Sequence, residues 1–160
     1  MSIAYLGLGS NIRPEENIAS AMLALRSGFS RAWFSQLYRS IPVGLEGDDF
    51  INLVAGVETG LHPLELKSWL HDLEDRHARD RSAPKWSSRT LDIDILLYDD
   101  LYLVSPELEI PRGEILDMAH VLKPLAEIAP DLVHPVEGET MSQLWRGYKS
   151  KTPHHGLVAL

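Results

Sequence analysis

Thr90-Leu91-Asp92-Ile93-Asp94-Ile95-Leu96-Leu97-Tyr98 alternates apolar and acidic residues through its first half. This period of two predicts a strand with Leu91, Ile93 and Ile95 on one face and Asp92 and Asp94 on the other. Alternate residues on a strand point the same way, so the two carboxylates are brought together. Like charges that close repel, and a hard cation would remove the repulsion. Magnesium suits the pair, because it prefers oxygen ligands and commonly takes one or two carboxylates plus substrate phosphates. For an isolated Asp-x-Asp the competing reading is a strand edge whose acids simply face water.

The residues just upstream favour the first reading. From Arg76 to Arg89 the chain runs R-H-A-R-D-R-S-A-P-K-W-S-S-R, with five basic residues in fourteen. Arg79, Arg81, Lys85 and Arg89 supply cations for phosphate oxygens, and Trp86 supplies a ring for stacking. A metal ion beside arginines is the equipment of phosphoryl transfer.

Working outward, Ile3 to Leu8 reads as a strand, ended by the turn formers Gly9-Ser10-Asn11. Ile18, Met22 and Leu25 mark an amphipathic helix after Pro14, and Trp33 to Ser40 is a second strand. A loop over Ile41 to Asp49 follows. From Phe50 to Glu58, Ile51, Leu53, Ala55 and Val57 share one face of a third strand, leaving Asn52 on the opposite face, available to a ligand. Pro63 opens a helix carrying Leu66, Trp69, Leu70 and Leu73 and lasting to about Ala78. The order strand, helix, strand, strand, helix, strand predicts an α+β fold, a ferredoxin-like βαββαβ core with an antiparallel sheet. Beyond it the reading is an extended piece near Glu107 to Ile110, a helix from about Asp117 to Ala129, a helical turn or two after Thr140, and a frayed tail from about Lys149.

The 160 residues are the size of one domain. Fifteen Lys plus Arg against 23 Asp plus Glu give a net charge of -8, the wrong sign for neutralising duplex nucleic acid. An acidic chain with one basic loop suggests a small anionic ligand instead. There are no cysteines, hence no disulfides and no thiolate metal site. No stretch approaches the roughly 20 apolar residues of a membrane helix, and the N-terminus does not read as a signal peptide, so a cytoplasmic location is expected. Gly7-Leu8-Gly9 lacks the third glycine of a dinucleotide fingerprint, and no P-loop, nucleophile elbow or zinc-protease helix occurs.

Four separated segments together resemble the 6-hydroxymethyl-7,8-dihydropterin pyrophosphokinase family, also named 2-amino-4-hydroxy-6-hydroxymethyldihydropteridine diphosphokinase. They are A-Y-L-G-L-G-S-N at Ala4 to Asn11, Y-R-S-I-P-V-G ahead of F-I-N-L-V, R-T-L-D-I-D-I-L-L at Arg89 to Leu97, and K-P-L-A-E-I-A-P at Lys123 to Pro130. The resemblance implies ATP-dependent transfer of a diphosphate to the hydroxymethyl oxygen of a dihydropterin, releasing AMP, in folate synthesis. It implies that Asp92 and Asp94 hold two magnesium ions, with Arg79 and Arg89 joining them as catalytic groups. Glu74, Arg81, Trp86, Arg89 and Arg112 would serve ATP. Ser40, Ile41, Val43, Phe50, Asn52, Trp86 and His120 would serve the pterin, Asn52 reading its hydrogen-bonding edge. Ser87, Arg112, Met118 and His120 depart from the family pattern, and a histidine at 120 can still stack on a pterin.

ATP and the pterin are the expected partners, and the chain is expected to act as a monomer. Two alternatives stay open at this point. One is a diverged paralogue that diphosphorylates a different pterin. The other is a non-catalytic pterin- or nucleotide-binding module, which would have no need of a repelling carboxylate pair.

Overall fold

A computed structural model of the protein describes residues 1–40, 49–78 and 90–160. Its central sheet is built from β1 (Ser2–Ser10), β2 (Arg31–Phe34), β3 (Tyr38–Ser40), β4 (Phe50–Thr59), β5 (Asp92–Tyr98) and β8 (Val158–Ala159). The order is β5-β1-β4-β3-β8, with β2 also on β4, and every pairing is antiparallel. The helices α1 (Pro14–Gly28) and α2 (Pro63–Arg76) complete the expected βαββαβ core. Each opens on a proline, whose missing N–H costs nothing in a first turn, and Glu65 also accepts from the His62 N–H at 3.0 Å. A separate hairpin joins β6 (Leu103–Val104) to β7 (Glu109–Ile110), and α3 (Glu114–Asp117), α4 (Ala119–Ile128) and α5 (Met141–Lys151) follow.

Apolar residues cover both faces of this sheet. Leu6, Leu8, Ile51, Leu53, Ile93 and Ile95 pack with α1 and α2 on one side. Val54, Leu96 and Leu97 pack with α4 and Met141 of α5 on the other. The second layer changes the reading of Asn52. It lies on the face opposite Ile51 and Leu53, as alternation requires, but it is 6% exposed, not open to solvent.

Three local readings are corrected. The Trp33–Ser40 segment is not one strand but two, because Ser35 steps out of the ladder while staying tied to β4: its N–H donates to the Val54 carbonyl at 2.9 Å and its Oγ accepts from the Val54 N–H at 3.0 Å. Gly9 and Ser10 do not form a turn but belong to β1, opposite Asn52 and Ile51. Beyond Lys149 the chain carries regular structure where none was read. Thr140 and Gln143 form a reciprocal cap (3.1 and 2.8 Å) that starts a full α5, and the chain then returns as β8 to pair with β3. Among the described residues, no helix is long and apolar enough to cross a membrane.

Candidate active site

The strand registers bring the chemistry together. Asp92 of β5 lies opposite Gly9 of β1, Gly9 lies opposite Asn52 of β4, and Asn52 lies opposite Tyr38 of β3. One row across four strands therefore reads Asp92, Gly9, Asn52, Tyr38, and Asp94 stands beside Gly7 in the next row on the same face. Gly9 puts no side chain between the carboxylates and the amide, whereas Gly7 is covered by Leu96, whose side chain lies 3.4 Å from where a Cβ would stand. A Cβ on Gly9 would come within 2.8 Å of Asn52 Oδ1 and 3.6 Å of Phe50 Cδ1, so Asn52 and Phe50 lean over Gly9. Asn52 Nδ2 donates to Ser40 Oγ at 2.6 Å, joining three expected pterin residues into one patch.

At the carboxylate end, Asp94 is held well above the usual carboxylate range. Burial is the largest cause and Asp92 the next; Arg112 opposes, and Glu114 and Glu74 add. Arg112 Nε lies 3.7 Å from Asp94 Oδ2 and makes no hydrogen bond, while its Nη2 donates to Glu114 at 2.9 Å. The positive charge read at Arg112 is thus already directed at acids. Excess negative charge on an oxygen-only pair is what a magnesium ion would relieve. Among the described residues no group of three His, Asp or Glu forms a full protein cage. Magnesium commonly takes one or two carboxylates, with waters and phosphate oxygens filling its other positions. Asp92 and Asp94 therefore fit such an ion.

Glu74 is 2% exposed on the inner side of α2, and its Oε2 accepts from the Ile93 N–H at 2.7 Å. It clamps the strand between the two aspartates. His120, at the start of α4, feels the charges of Glu114 and Asp92, but burial outweighs them and holds its pKa below the ordinary histidine value. Burial thus favours the neutral ring, a flat face for stacking with one donor and one acceptor at its edge.

Beyond β5 a cavity of about 260 Å³ opens between α2 and the 105–109 segment. Lys67, Leu70 and His71 line one wall, Ile95 another, and Asp94 and Arg112 stand where it meets the carboxylate pair. Lys67 donates to the Glu107 carbonyl and so ties the cavity walls together. Sequence reasoning missed this cavity, because its walls come from segments about 40 residues apart. It also missed the glycine floor, for which the only signal was small residues within a strand pattern. Ile41, Val43, Arg79, Arg81, Trp86 and Arg89 lie outside the described residues, as does Ser87.

Comparison with known proteins agrees with the architecture. Residues 5–130 match the family 7,8-dihydro-6-hydroxymethylpterin-pyrophosphokinase (HPPK). A 2-amino-4-hydroxy-6-hydroxymethyldihydropteridine pyrophosphokinase of Synechocystis is 40% identical over 144 residues, covering 88% of this chain and 73% of the relative. The Haemophilus influenzae enzyme of the same name is 39% identical over 139 residues, covering 84% of this chain and 86% of the relative. In structure, the chain resembles Plasmodium falciparum HPPK-DHPS with a TM-score of 0.75 at 16% identity, over 94% of this chain. It spans 45% of that longer chain, and at this identity the likeness concerns the fold alone. With nearly four-fifths of its length matched and relatives near 40% identity across most of both chains, this protein belongs to the 7,8-dihydro-6-hydroxymethylpterin-pyrophosphokinase family.

Proposed function

We propose that the protein transfers the β- and γ-phosphates of ATP, as one unit, to the hydroxymethyl oxygen of 6-hydroxymethyl-7,8-dihydropterin, in folate biosynthesis. The observation that carries this reading is the row of carboxylate pair, glycine and amide patch across one face of the sheet, with the cavity opening at its β5 edge beside Asp94. A donor, its metal and an acceptor need that order. The hydroxymethyl oxygen attacks the β-phosphorus, the bond from that phosphorus to the oxygen bridging to the α-phosphate breaks, AMP leaves with the bridging oxygen, and the hydroxyl proton is released.

The cavity beyond β5 takes the adenine end of ATP, against Leu70 and Ile95. Asp92 and Asp94 hold two magnesium ions, which when bound neutralise charge on the phosphate oxygens. Arg79, Arg81 and Arg89 grip those oxygens from the basic loop, and Trp86 closes over the ligands. Arg112, already paired with Glu114, orients Asp94 and faces the nucleotide. Asn52 and Ser40 read the polar edge of the pterin, while Phe50 and His120 bound its ring, and the family resemblance adds Ile41 and Val43 to the pterin side. Little covalent chemistry is left for the protein, since positioning and charge stabilisation dominate this class of reaction. The whole chain acts as one catalytic unit, a cytoplasmic monomer with no nucleic-acid partner.

The test is incubation with ATP, magnesium and the dihydropterin, followed by separation of nucleotides. AMP and pterin diphosphate are expected in equal amounts, with turnover falling about 10²- to 10³-fold in Asp94→Asn, the usual effect of losing one electrostatic stabiliser. Intact ATP, or ADP in place of AMP, would overturn the reading.

A further inference from the structure

The shortest strand of the site is held by the tail of the chain. β3 has three residues, and one of its edges meets β4 through Tyr38 opposite Asn52, Arg39 opposite Ile51 and Ser40 opposite Phe50. Its other edge is covered by β8, with Ala159 opposite Tyr38 and Val158 opposite Arg39, and the Leu160 N–H donates to the Leu37 carbonyl at 3.0 Å. A strand this short, paired on one side only, has few bonds to keep it in place.

Leu157 supplies the packing beneath that pairing. It is 8% exposed and forms one buried cluster with Tyr38 and Ala119, rimmed by Trp145 and Tyr148. Tyr38 lies two residues before Ser40 on β3, and Ala119 immediately precedes His120 at the start of α4. One buried cluster therefore joins Leu157 to both elements that carry the proposed pterin residues. The approach to Leu157 is itself fixed. Its N–H donates to His155 Nδ1 at 3.1 Å, and the His155 ring sits edge-on to Trp145 at 5.3 Å between centroids. Tyr38 is anchored from α4 as well, its hydroxyl donating to Glu127.

We propose that the C-terminal segment, through Leu157 and β8, is a positioning element for the pterin side of the site, setting the separation between Ser40 on β3 and His120 on α4. The inference rests on the functional reading above. It predicts a one-sided effect. In the order β5-β1-β4-β3-β8 the tail lies four strand spacings, roughly 20 Å, from the strand that borders the nucleotide cavity. Misplacement of a supporting element by about an ångström is enough to weaken a site that its neighbours must hold in shape.

The experiment compares the full chain with Leu157→Ala and with a chain ending at His155. Binding of the dihydropterin and of a non-hydrolysable ATP analogue is titrated separately, and KM for each substrate, kcat and melting temperature are measured. The expected result is a rise of about 5- to 10-fold in Kd and KM for the pterin, with ATP values within about 2-fold and Leu157→Met restoring the pterin value. Unchanged pterin binding overturns the proposal. So does a parallel loss for both ligands that tracks the melting temperature, since that marks general loosening. If the truncated chain does not fold, Leu157→Ala and the milder Leu157→Val give the same reading. Failure of the full chain to bind the pterin is a separate outcome, which overturns the functional reading and this placement with it.

Discussion

Asn52 Nδ2 donates to Ser40 Oγ across 2.6 Å, a half-buried bond that ties the long central strand β4 to the three-residue strand β3. It orients the amide so that Oδ1 leans over Gly9. An amide locked this way presents a fixed acceptor to the site and costs little ordering when a ligand arrives.

Replacing Asn52 by Ala therefore removes a prearranged hydrogen-bonding group and leaves Ser40 unpaired. Loss of such a group from a buried site costs about 1–3 kcal/mol, or roughly 5- to 150-fold in affinity. The expected outcome is that loss for the dihydropterin alone, with ATP binding unchanged, as read by calorimetric titration of each ligand.

Gly9→Ala tests the bare floor. The new Cβ would sit 2.8 Å from Asn52 Oδ1, too close for ordinary contact, so the amide must turn. Gly9 lies within β1, where alanine is tolerated, so the fold is not the first casualty. A pterin Kd raised about 10-fold is expected, consistent with one disturbed hydrogen-bonding group, while the melting temperature moves by only a few degrees.

Glu74→Ala tests the clamp under β5. The variant leaves the buried Ile93 N–H without the carboxylate that accepts from it at 2.7 Å. Hydrogen bonds to charged groups contribute about 1.5–3 kcal/mol, and urea unfolding should show a stability loss of that size. Because Ile93 separates Asp92 from Asp94, kcat should fall more than the pterin KM rises.

His134 gives the fold a pH dependence. It is 3% exposed, and its Nδ1 accepts from the Val136 and Glu137 N–H groups at 3.2 and 3.1 Å, which requires a neutral ring. Burial lowers its pKa, with Glu137 partly opposing. Below about pH 6.5 the unfolded chain takes up a proton that the folded chain resists. The stabilisation is thus complete above that pH and is lost as pH falls toward the depressed value. Melting temperature should drop between pH 7 and 5 more steeply in the parent protein than in His134→Gln.

Some of this was legible from local pattern, and the reason is that local pattern is all those features require. Period-two alternation placed Asp92 and Asp94 on one face of β5, and a three- to four-residue period placed Leu66, Leu70 and Leu73 on the buried side of α2. The order of those elements was enough to expect the βαββαβ core, and the resemblance carried in four short segments pointed to the family that relatives across most of the chain bear out.

Other features depended on residues meeting across the sheet. Gly9 reads as a turn former until its register between Asp92 and Asn52 makes it the floor of a site. Arg112 reads as a cation for ATP, and only the structure shows Glu114 and Asp94 beside it. The tail reads as frayed because a two-residue strand carries no periodic signal; only the exposed edge of β3 gives Val158 and Ala159 something to pair with. Alternation along a strand is a property of the chain itself, so the sequence alone determined which residues share a face. Which strands lie side by side is settled by burial of both faces of the sheet at once, and that was decided only when the whole chain packed.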